Sequence, residues 1–282
     1  MRMARDTAWD RQWQAAWKAH PANPWFHYQA DAFAAWVRAR VPGTLGGRAC
    51  TLKTDAFEEA CGFDQLWRTL GATPSVLMDV SPRILSHARR TLGRDGRGAA
   101  CASDVRRLAF RSGSFDLVLS HSTLDHFAVE ADIAVALREI LGVLRPRARL
   151  LITLDNPANP VLCVRRLLHR LTGPVGGLIP FPMGRTLSRA RLAALLEQEG
   201  FEVLDSGYLL HAPRILGLWL GEWAARRRLD GLAGRLRRLF GRVDSALAAW
   251  PTRRWTAHFV AVDCRRPDTR PTRDTQANGR SG

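Results

Sequence analysis

The sequence predicts an α/β fold built around a mostly parallel sheet, and two short apolar runs at 117–119 and 150–152 carry this prediction. Each run lies between turn-forming or charged residues, which is typical of strands buried on both faces of a parallel sheet. Between them, residues 130–144 place apolar side chains at helical spacing. Arg145 and Pro146 then end that helix. A strand, a helix and a second strand in this order predict a parallel pair joined by a right-handed crossover.

Further strands are predicted on both sides of this unit, where short apolar runs alternate with helical patterns. The predicted strands are 48–53, Ser75–Asp79, Gly98–Ala102, 115–120, 149–154 and 201–209, with 256–264 as the last candidate. Before them, residues 5–40 predict two helices separated at 21–24. Trp9, Trp13 and Trp17 recur every fourth residue in the first of these and predict an aromatic stripe, for which packing on the core is favoured over stacking on a ligand.

The composition predicts one folded, strongly basic domain with additions. The chain has 282 residues, of which 46% are hydrophobic, and its formal net charge is +16. Lysine occurs only at Lys18 and Lys53, so nearly all of the positive charge is arginine. A surface of this kind attracts phosphates, anionic lipids or nucleic acids.

The cysteines and the apolar segments indicate a reducing, cytoplasmic environment. The five cysteines are scattered and form no Cys-x-x-Cys or Cys/His cluster, which argues against a disulfide framework and against a zinc site, so no metal is expected. The segment MRMARDTAWDRQWQ contains no apolar run that could serve as a secretory signal. No stretch approaches the roughly 18 continuous apolar residues of a transmembrane helix. We therefore expect a cytoplasmic protein, with association with the inner face of the membrane as the alternative.

The pattern SFDLVLS followed by LREILGVLRPRARLLIT strongly resembles the central part of class I S-adenosylmethionine-dependent methyltransferases of the type 11 kind. This resemblance implies a Rossmann-like three-layer sandwich with a seven-stranded sheet, in which the last strand inserts antiparallel beside the sixth. The domain would span 48–264, after an N-terminal helical cap at 1–47 and before a disordered polar tail at 265–282. Two insertions would interrupt it, at about 157–185 and 213–250.

The resemblance also implies S-adenosyl-L-methionine as the cofactor, bound at the carboxyl ends of the strands. After the first strand, the family usually has an acid and a glycine-rich loop, whereas this chain has TLKTDAFEEACG. Lys53, Thr54 and Asp55 stand at that place. Asp55 and Glu58 have the spacing of a capping box, and Lys53 is a candidate to pair with the methionine carboxylate. The alternatives are a lysine in solvent or a weakened site.

The remaining cofactor-binding candidates follow the later strands. Asp79, followed by Val80, ends the second strand, where a carboxylate can accept hydrogen bonds from both ribose hydroxyls; helix capping is the alternative role. Asp104 and Val105 correspond to the segment that holds the adenine in the resembling family, although Asp104 is equally suited to a turn. Ser120 follows the fourth strand on the same side of the sheet.

Two histidines are the candidate catalytic residues. His121 lies at the end of the fourth strand, where the resemblance implies closeness to the methyl group, and His126 falls in the next turn. A histidine of ordinary pKa can accept a proton from an acceptor near neutral pH. A structural role, with hydrogen bonds to the backbone, is the alternative for His126. The run Asp155, Asn156 and Pro157 follows the fifth strand, so it does not assign a nucleic-acid base as the acceptor.

The second insertion contains a basic amphipathic pattern. Around 229–243, apolar residues share one helical face and arginines take the opposite side, directly after the tryptophan-bearing segment 215–223. A basic helix with interfacial tryptophans is typical of a membrane-surface element, which would make 213–243 a docking site for an anionic membrane. The alternative is a surface helix whose apolar face covers the core.

These observations favour a methyltransferase that acts on a small-molecule or lipid-like acceptor by in-line transfer. RNA or protein methylation is an alternative motivated by the charge, although no RNA-binding module accompanies the fold. A catalytically silent binding protein of the same fold is a further alternative, because the first loop lacks its glycines. A nicotinamide-dependent oxidoreductase is disfavoured by the absence of Gly-x-Gly-x-x-Gly after the first strand.

Overall fold

A computed structural model describes residues 22–41, 49–62, 70, 75–91, 98–172 and 184–268. Within these residues, seven strands form one sheet in the order β3-β2-β1-β4-β5-β7-β6. The strands are β1 Thr51–Lys53, β2 Ser75–Asp79, β3 Gly98–Ala102, β4 Phe115–His121, β5 Leu144–Asp155, β6 Glu202–Leu209 and β7 Phe259–Arg265.

Strand direction within the sheet follows the expectation. Strands β1 to β5 pair in parallel, and β7 inserts antiparallel between β5 and β6. The predicted fold class, a mostly parallel seven-stranded sheet with an antiparallel last strand, is thereby confirmed. The strand order reverses between β1 and β4, so the carboxyl ends of these two strands open the crevice in which open parallel sheets bind ligands.

The helices cover both faces of this sheet. They are α1 Pro24–Arg38, α2 Phe57–Cys61, α3 Pro82–Thr91, α4 Glu130–Val143, α5 Pro160–Thr172, α6 Arg189–Gln198, α7 Arg214–Arg226, α8 Asp230–Ala248 and α9 Arg253–Thr256. The second of the two helices predicted at 5–40 is α1. The first, with its tryptophan stripe, lies outside the described residues.

Several strand ends differ from the prediction. Strand β5 begins at Leu144, before Pro146, and not at 149. Its pairing starts at Phe115 with Leu144 and shifts register before Leu117 pairs with Arg149, so the proline is tolerated at an irregular strand start. Strand β1 has only three residues, not the six of 48–53.

The last strand was also predicted too early, at 256–264. Residues Arg253–Thr256 form the short helix α9, so β7 begins only at Phe259 and continues to Arg265. Apolar and polar residues alternate across this boundary, and that pattern does not distinguish a helical turn from a strand start. The shift gives His258 a position in the connection before β7, beside the carboxyl end of β5.

The core consists of packed layers on the two sides of the sheet. On one side, α4 and α6 pack against inward residues of β4, β5 and β7, including Val118, Ile152 and Val262. On the other side, Phe33 and Val37 of α1 pack against β4 and β5. Helix α1 therefore forms part of the sandwich itself.

The second insertion consists of α7 and α8, which pack on α1 around Trp25. Leu236 and Phe240 of α8 are buried there, and Phe240 meets the Trp25 ring edge-on at 5.4 Å between centroids. Leu239, predicted for the same apolar face, is half exposed. The apolar face of α8 therefore covers a core, as in the alternative stated above, and it is narrower than the sequence indicated.

Two glycines test the packing of these helices. A Cβ at Gly217 of α7 would penetrate the ring of Trp25, whereas a Cβ at Gly241 of α8 would meet no atom within 4 Å. Gly217→Ala is expected to lower the free energy of unfolding by about 1–3 kcal/mol through overpacking. Gly241→Ala, the matched control, is expected to raise it by about 0.5–1 kcal/mol because alanine favours helix. Urea unfolding of both variants measures this, and equal effects would contradict the packing of α7 on α1.

Candidate active site

Lys53, at the carboxyl end of β1, is buried and held by acids of the next helix. Its side chain is 1% exposed, and its Nζ lies 2.7 Å from Glu59 and 3.1 Å from Glu58. Asp55 is 3.6 Å away. Burial acts to raise the pKa of Glu58, but Lys53 and His121 together hold it below its usual value. The ammonium charge is therefore compensated within the chain, and the proposed pairing of Lys53 with a methionine carboxylate stays a prediction.

The start of α2 differs from the predicted capping box. The helix begins at Phe57 with Ala56 at the N-cap, which makes no side-chain hydrogen bond, whereas the Asp55 carboxylate accepts from the Phe57 amide. The Glu58 carboxylate does not cap that helix end, because it binds the Lys53 ammonium. Asp55 lies in the loop, with one carboxylate oxygen buried and without a hydrogen-bond partner. Burial raises the pKa of Asp55, opposed by the attraction of Lys53.

Thr54 connects the first loop to the end of β4. Its hydroxyl donates to the Ser120 hydroxyl at 3.1 Å and lies 3.0 Å from the Thr123 hydroxyl. The Thr54 backbone amide donates to the Leu119 carbonyl. Ser120 is fully buried. The two predicted cofactor-binding positions on β1 and β4 thus meet at the reversal of strand order, with their hydroxyls oriented by each other.

Asp79 connects the end of β2 to the same loop. Its carboxylate accepts hydrogen bonds from the Ala56 amide at 3.1 Å and from the Ser81 amide at 2.8 Å. The capping of α3 is done by Ser81, whose hydroxyl accepts from the Ile84 amide, so Asp79 does not cap that helix itself. Asp79 is 8% exposed, and burial raises its pKa to about 6 despite these two amides.

The other predicted cofactor contacts lie apart from one another. Val80 is exposed beside Asp79, whereas Val105 is buried in the main core. Asp104 pairs with Arg106 at 2.6 Å and accepts from its backbone amide, as a turn residue does. The Arg106 partner holds the pKa of Asp104 below its usual value. Contacts of Asp104 and Val105 with an adenine stay predictions.

His121 is enclosed at the end of β4. Its Nδ1 lies 2.6 Å from the Thr153 hydroxyl, and its Nε2 lies 3.6 Å from Glu58. Phe33 and Phe259 pack against the ring, at centroid distances of 4.1 and 4.9 Å. Burial lowers the pKa of His121 more than the nearby carboxylates raise it, so the imidazole is neutral at pH 7.

The turn after β4 contains a buried carboxylate. Asp125 accepts hydrogen bonds from the Ser122 hydroxyl at 3.0 Å and from the Asp155 amide at 2.7 Å. Its second oxygen is buried without a hydrogen-bond partner. His126 is partly exposed, and its Nε2 lies 3.9 Å from that oxygen. The turn is thereby fixed to the end of β5, and His126 lies at its outer side.

A charged cluster that the sequence reasoning missed lies beside β5. Asp155 is 3.3 Å from Arg165 of α5 and 3.5 Å from His258. The Arg214 guanidinium donates to His258 Nε2 at 2.6 Å. Burial and the neighbouring Asp125 raise the pKa of Asp155 to about 6, while burial lowers that of Arg214 to about 10. Asp155 directly follows a predicted strand, and that position was the one signal available for this cluster.

These residues fit the cofactor that the resemblance implies. Asp79 is a buried carboxylate at the position of a ribose acceptor. The unpartnered oxygen of Asp55 and the carboxylate of Glu58 offer negative charge to a cationic head group. The described residues contain no group of three or more His, Cys, Asp or Glu arranged to hold a metal ion. Among the described helices, none is long and apolar enough to cross a membrane.

Comparison with known proteins agrees with this reading of the fold. Residues 58–152 match the family described as a methyltransferase domain. A putative sarcosine dimethylglycine methyltransferase from Galdieria sulphuraria has a similar structure, with a TM-score of 0.55 and 15% identity over 84% of this chain and 85% of that one. An S-adenosylmethionine-dependent methyltransferase from Mesorhizobium loti has a TM-score of 0.54 and 19% identity, over 84% of this chain and 100% of that one.

A third protein of similar fold is named for a different reaction. The [4+2]-cyclase SpnF gives a TM-score of 0.54 at 17% identity, over 85% of this chain and 81% of its own. No curated protein matches the chain significantly. The strand order and the match of residues 58–152 to the methyltransferase domain family confirm the predicted resemblance to class I S-adenosylmethionine-dependent methyltransferases.

Proposed function

We propose that this protein transfers a methyl group from S-adenosylmethionine to a small-molecule or lipid-like acceptor. The observation that carries the proposal is Asp79, a buried carboxylate that ends β2 and also binds the first loop through the Ala56 amide. A carboxylate in this place is suited to two hydrogen bonds from a ribose. The match of residues 58–152 to the methyltransferase domain family supports the same cofactor.

The chain's contribution to the reaction is chiefly orientation. When bound, S-adenosylmethionine supplies an electrophilic methyl group on a sulfonium. Asp79 would hold the ribose, while Asp55 and Glu58 would hold the ammonium group of the amino-acid end. Thr54 and Ser120 fix the two strand ends between which the ligand lies. In-line displacement needs the two reacting atoms to be aligned, and binding both in one rigid crevice supplies most of the rate.

Proton removal from the acceptor is assigned to the histidines of the β4 end. His121 is neutral at pH 7 and therefore able to accept a proton, and Thr153 and Glu58 orient its two ring nitrogens. His126 has the more exposed ring and is the second candidate. An acceptor would lie between these residues and the cluster of Asp155, Arg214 and His258, whose charges favour a polar or zwitterionic group.

Calorimetry followed by a product assay tests the proposal. The purified full chain is expected to bind S-adenosylmethionine and S-adenosylhomocysteine with one site each. Mass spectrometry should then find a 14-Da gain on an acceptor after incubation with a bacterial lipid or metabolite extract. Binding without any methylated product would favour a different reaction on the same fold, as in the cyclase. An absence of binding to both ligands would favour a silent protein.

Cofactor affinity is expected to depend on pH through Asp79. Its pKa is about 6, so the carboxylate that accepts from the ribose is lost as the pH falls below that value. Affinity for S-adenosylhomocysteine should therefore weaken by up to about tenfold per pH unit between pH 6 and pH 5. A folded-state pKa above the unfolded value means that this group favours the fold more at low pH, so the weakening is not caused by unfolding at Asp79. Titration calorimetry at several pH values measures it, and a flat profile contradicts the role of Asp79.

A further inference from the structure

Helix α7 has an unusual distribution of side chains. Its buried positions are small, namely Gly217, Gly221, Ala224 and Ala225. Leu218 and Leu220 are only partly buried, and the remaining large apolar side chains are exposed, with both Ile215 and Trp219 66% exposed. A helix that merely covers a core buries its large apolar residues and exposes its polar ones. The exposed apolar side chains of α7 therefore have an unfavourable free energy of hydration, and the packing of the fold does not require them.

The buried side of α7 is fixed by close packing. A Cβ at Gly217 would meet the Trp25 ring, and a Cβ at Gly221 would meet the Asn23 side chain. Asn23 also donates to the Leu218 carbonyl at 3.2 Å and to Glu222 at 3.3 Å. Rotation of the helix about its axis would bring larger side chains to the places of these two glycines, where they would clash with Trp25 and Asn23. The outward orientation of the tryptophans is thus built into the fold.

Helix α5 exposes a second apolar stripe beside the same end of the sheet. Val161, Val164 and Leu168 have helical spacing and are exposed. The start of α5 is fixed to α9, because the Asn159 amide donates to the Thr256 and Ala257 carbonyls. Trp255 of α9 is exposed as well. Helices α5 and α9 therefore present apolar side chains from adjoining backbone segments.

The start of α7 joins these segments through the charged cluster. Arg214, its first residue, donates to His258, and His258 lies two residues after the end of α9. Asp155 contacts both His258 and Arg165 of α5. These contacts hold the starts of α5 and α7 and the end of α9 near the carboxyl end of β5, next to the candidate active site. We call the exposed apolar side chains of these three helices the apolar face: Val164, Leu168, Ile215, Trp219, Trp223 and Trp255.

Arginines accompany the tryptophans of this face. The Arg227 guanidinium lies 4.9 Å from the centroid of the Trp223 ring, and that of Arg254 lies 3.9 Å from the Trp255 ring. Within the described part of the chain, no carboxylate forms an ion pair with either arginine. Tryptophan and arginine together are suited to the boundary between lipid head groups and acyl chains. The positive charge is complementary to an anionic surface.

We propose that the apolar face docks on an anionic lipid bilayer and holds the active-site crevice at the membrane. The docking elements are α5, α7 and α9, of which α7 lies within the predicted docking segment 213–243. Large apolar side chains supply the insertion, and the flanking arginines select anionic head groups. This surface is independent of cofactor binding, so it goes beyond the proposed reaction.

Vesicle co-sedimentation of the full chain tests the proposal. The wild type should bind phosphatidylcholine vesicles containing about 30% phosphatidylglycerol, and bind pure phosphatidylcholine far more weakly. The double variant Ile215→Gln/Trp219→Gln should weaken binding at least about tenfold because it removes the inserting side chains. Arg227→Gln/Arg254→Gln should weaken binding roughly tenfold to the anionic vesicles only.

Matched control variants distinguish docking through the apolar face from the general attraction between a basic protein and anionic lipids. Leu239→Gln removes a half-exposed leucine from α8, and Arg107→Gln/Arg111→Gln removes two exposed charges from the β3–β4 connection. Both should bind within about twofold of wild type. Equal weakening by the controls, or undiminished binding of Ile215→Gln/Trp219→Gln, would overturn the proposal. A different result would assign the apolar face to a second copy of the chain: the wild type would not bind vesicles but would form a dimer, and Ile215→Gln/Trp219→Gln would abolish that dimer. Calorimetry with S-adenosylhomocysteine should be unchanged in every variant, so failure here is distinguishable from failure of the proposed function.

Discussion

Replacement of Asp79 by alanine is expected to weaken the binding of S-adenosylhomocysteine at least about 100-fold. If Asp79 holds the ribose as proposed, the variant removes two charge-assisted hydrogen bonds, each contributing about 1.5–3 kcal/mol. It also removes the acceptor that the Ala56 and Ser81 amides share, so the first loop loses its connection to β2. Titration calorimetry on wild type and variant measures the change.

Two further measurements make the result of this substitution interpretable. Asp79→Asn keeps one acceptor oxygen and the shape of the side chain, so it should show a smaller loss of affinity, about tenfold. Circular dichroism and urea unfolding establish that each variant is folded before its affinity is compared. A folded Asp79→Ala variant with affinity close to wild type would contradict the assignment of the ribose to Asp79.

Replacement of Lys53 by methionine is expected to cause the largest loss of stability. The fully buried Glu59 carboxylate would lose the ammonium 2.7 Å away, and Glu58 would lose the one 3.1 Å away. Removing one partner of a buried ion pair costs about 3–5 kcal/mol, because the remaining charge stays without compensation. Urea unfolding at pH 7 measures the free energy of unfolding of wild type and variant.

A second substitution separates this structural role from cofactor binding. The double variant Lys53→Met/Glu59→Gln also removes the fully buried Glu59 charge and leaves only the partly exposed Glu58 without the ammonium, so it should recover part of the lost stability. If Lys53 only holds the acids of α2, the double variant binds S-adenosylhomocysteine within about threefold of wild type. If Lys53 pairs with the methionine carboxylate, the folded double variant instead binds at least about tenfold more weakly.

Much of the sheet was predictable because its signals are local. The bounds of β2 and β3 agree with the prediction, since short apolar runs between turn residues define them. The antiparallel insertion of β7 followed from the resemblance, not from its residues. The ends of β5 and β7 were less predictable, because an irregular pairing at Leu144 and the short helix α9 depend on tertiary context.

The candidate site was predictable in position but less so in its partners. Asp79, Ser120 and His121 were found because they directly follow strands, and the topology brings strand ends together. The contacts of Lys53 with Glu58 and Glu59 were not foreseen, because the spacing of Asp55 and Glu58 indicated a capping box instead. The cluster of Arg214 and His258 joins distant segments, and no local pattern encodes such a contact.

The outward tryptophans of α7 illustrate the same limit. The sequence showed an apolar segment at 215–223 beside a basic helix, but not which side of either helix would be buried. The close approach of Gly217 to Trp25 decides this, and it joins residues about two thirds of the chain apart. The proposed docking surface therefore keeps α7 from the predicted segment 213–243 and adds α5 and α9 in place of α8.

A crystal structure of the full chain with S-adenosylhomocysteine bound tests the proposed cofactor site directly. Both ribose hydroxyls are expected within hydrogen-bond distance of the Asp79 carboxylate. The amino group of the ligand is expected beside Asp55 or Glu58, with Lys53 still bound to Glu59. A ligand elsewhere in the molecule, or a crevice closed by the acids of α2 and without ligand at saturating concentration, would contradict it.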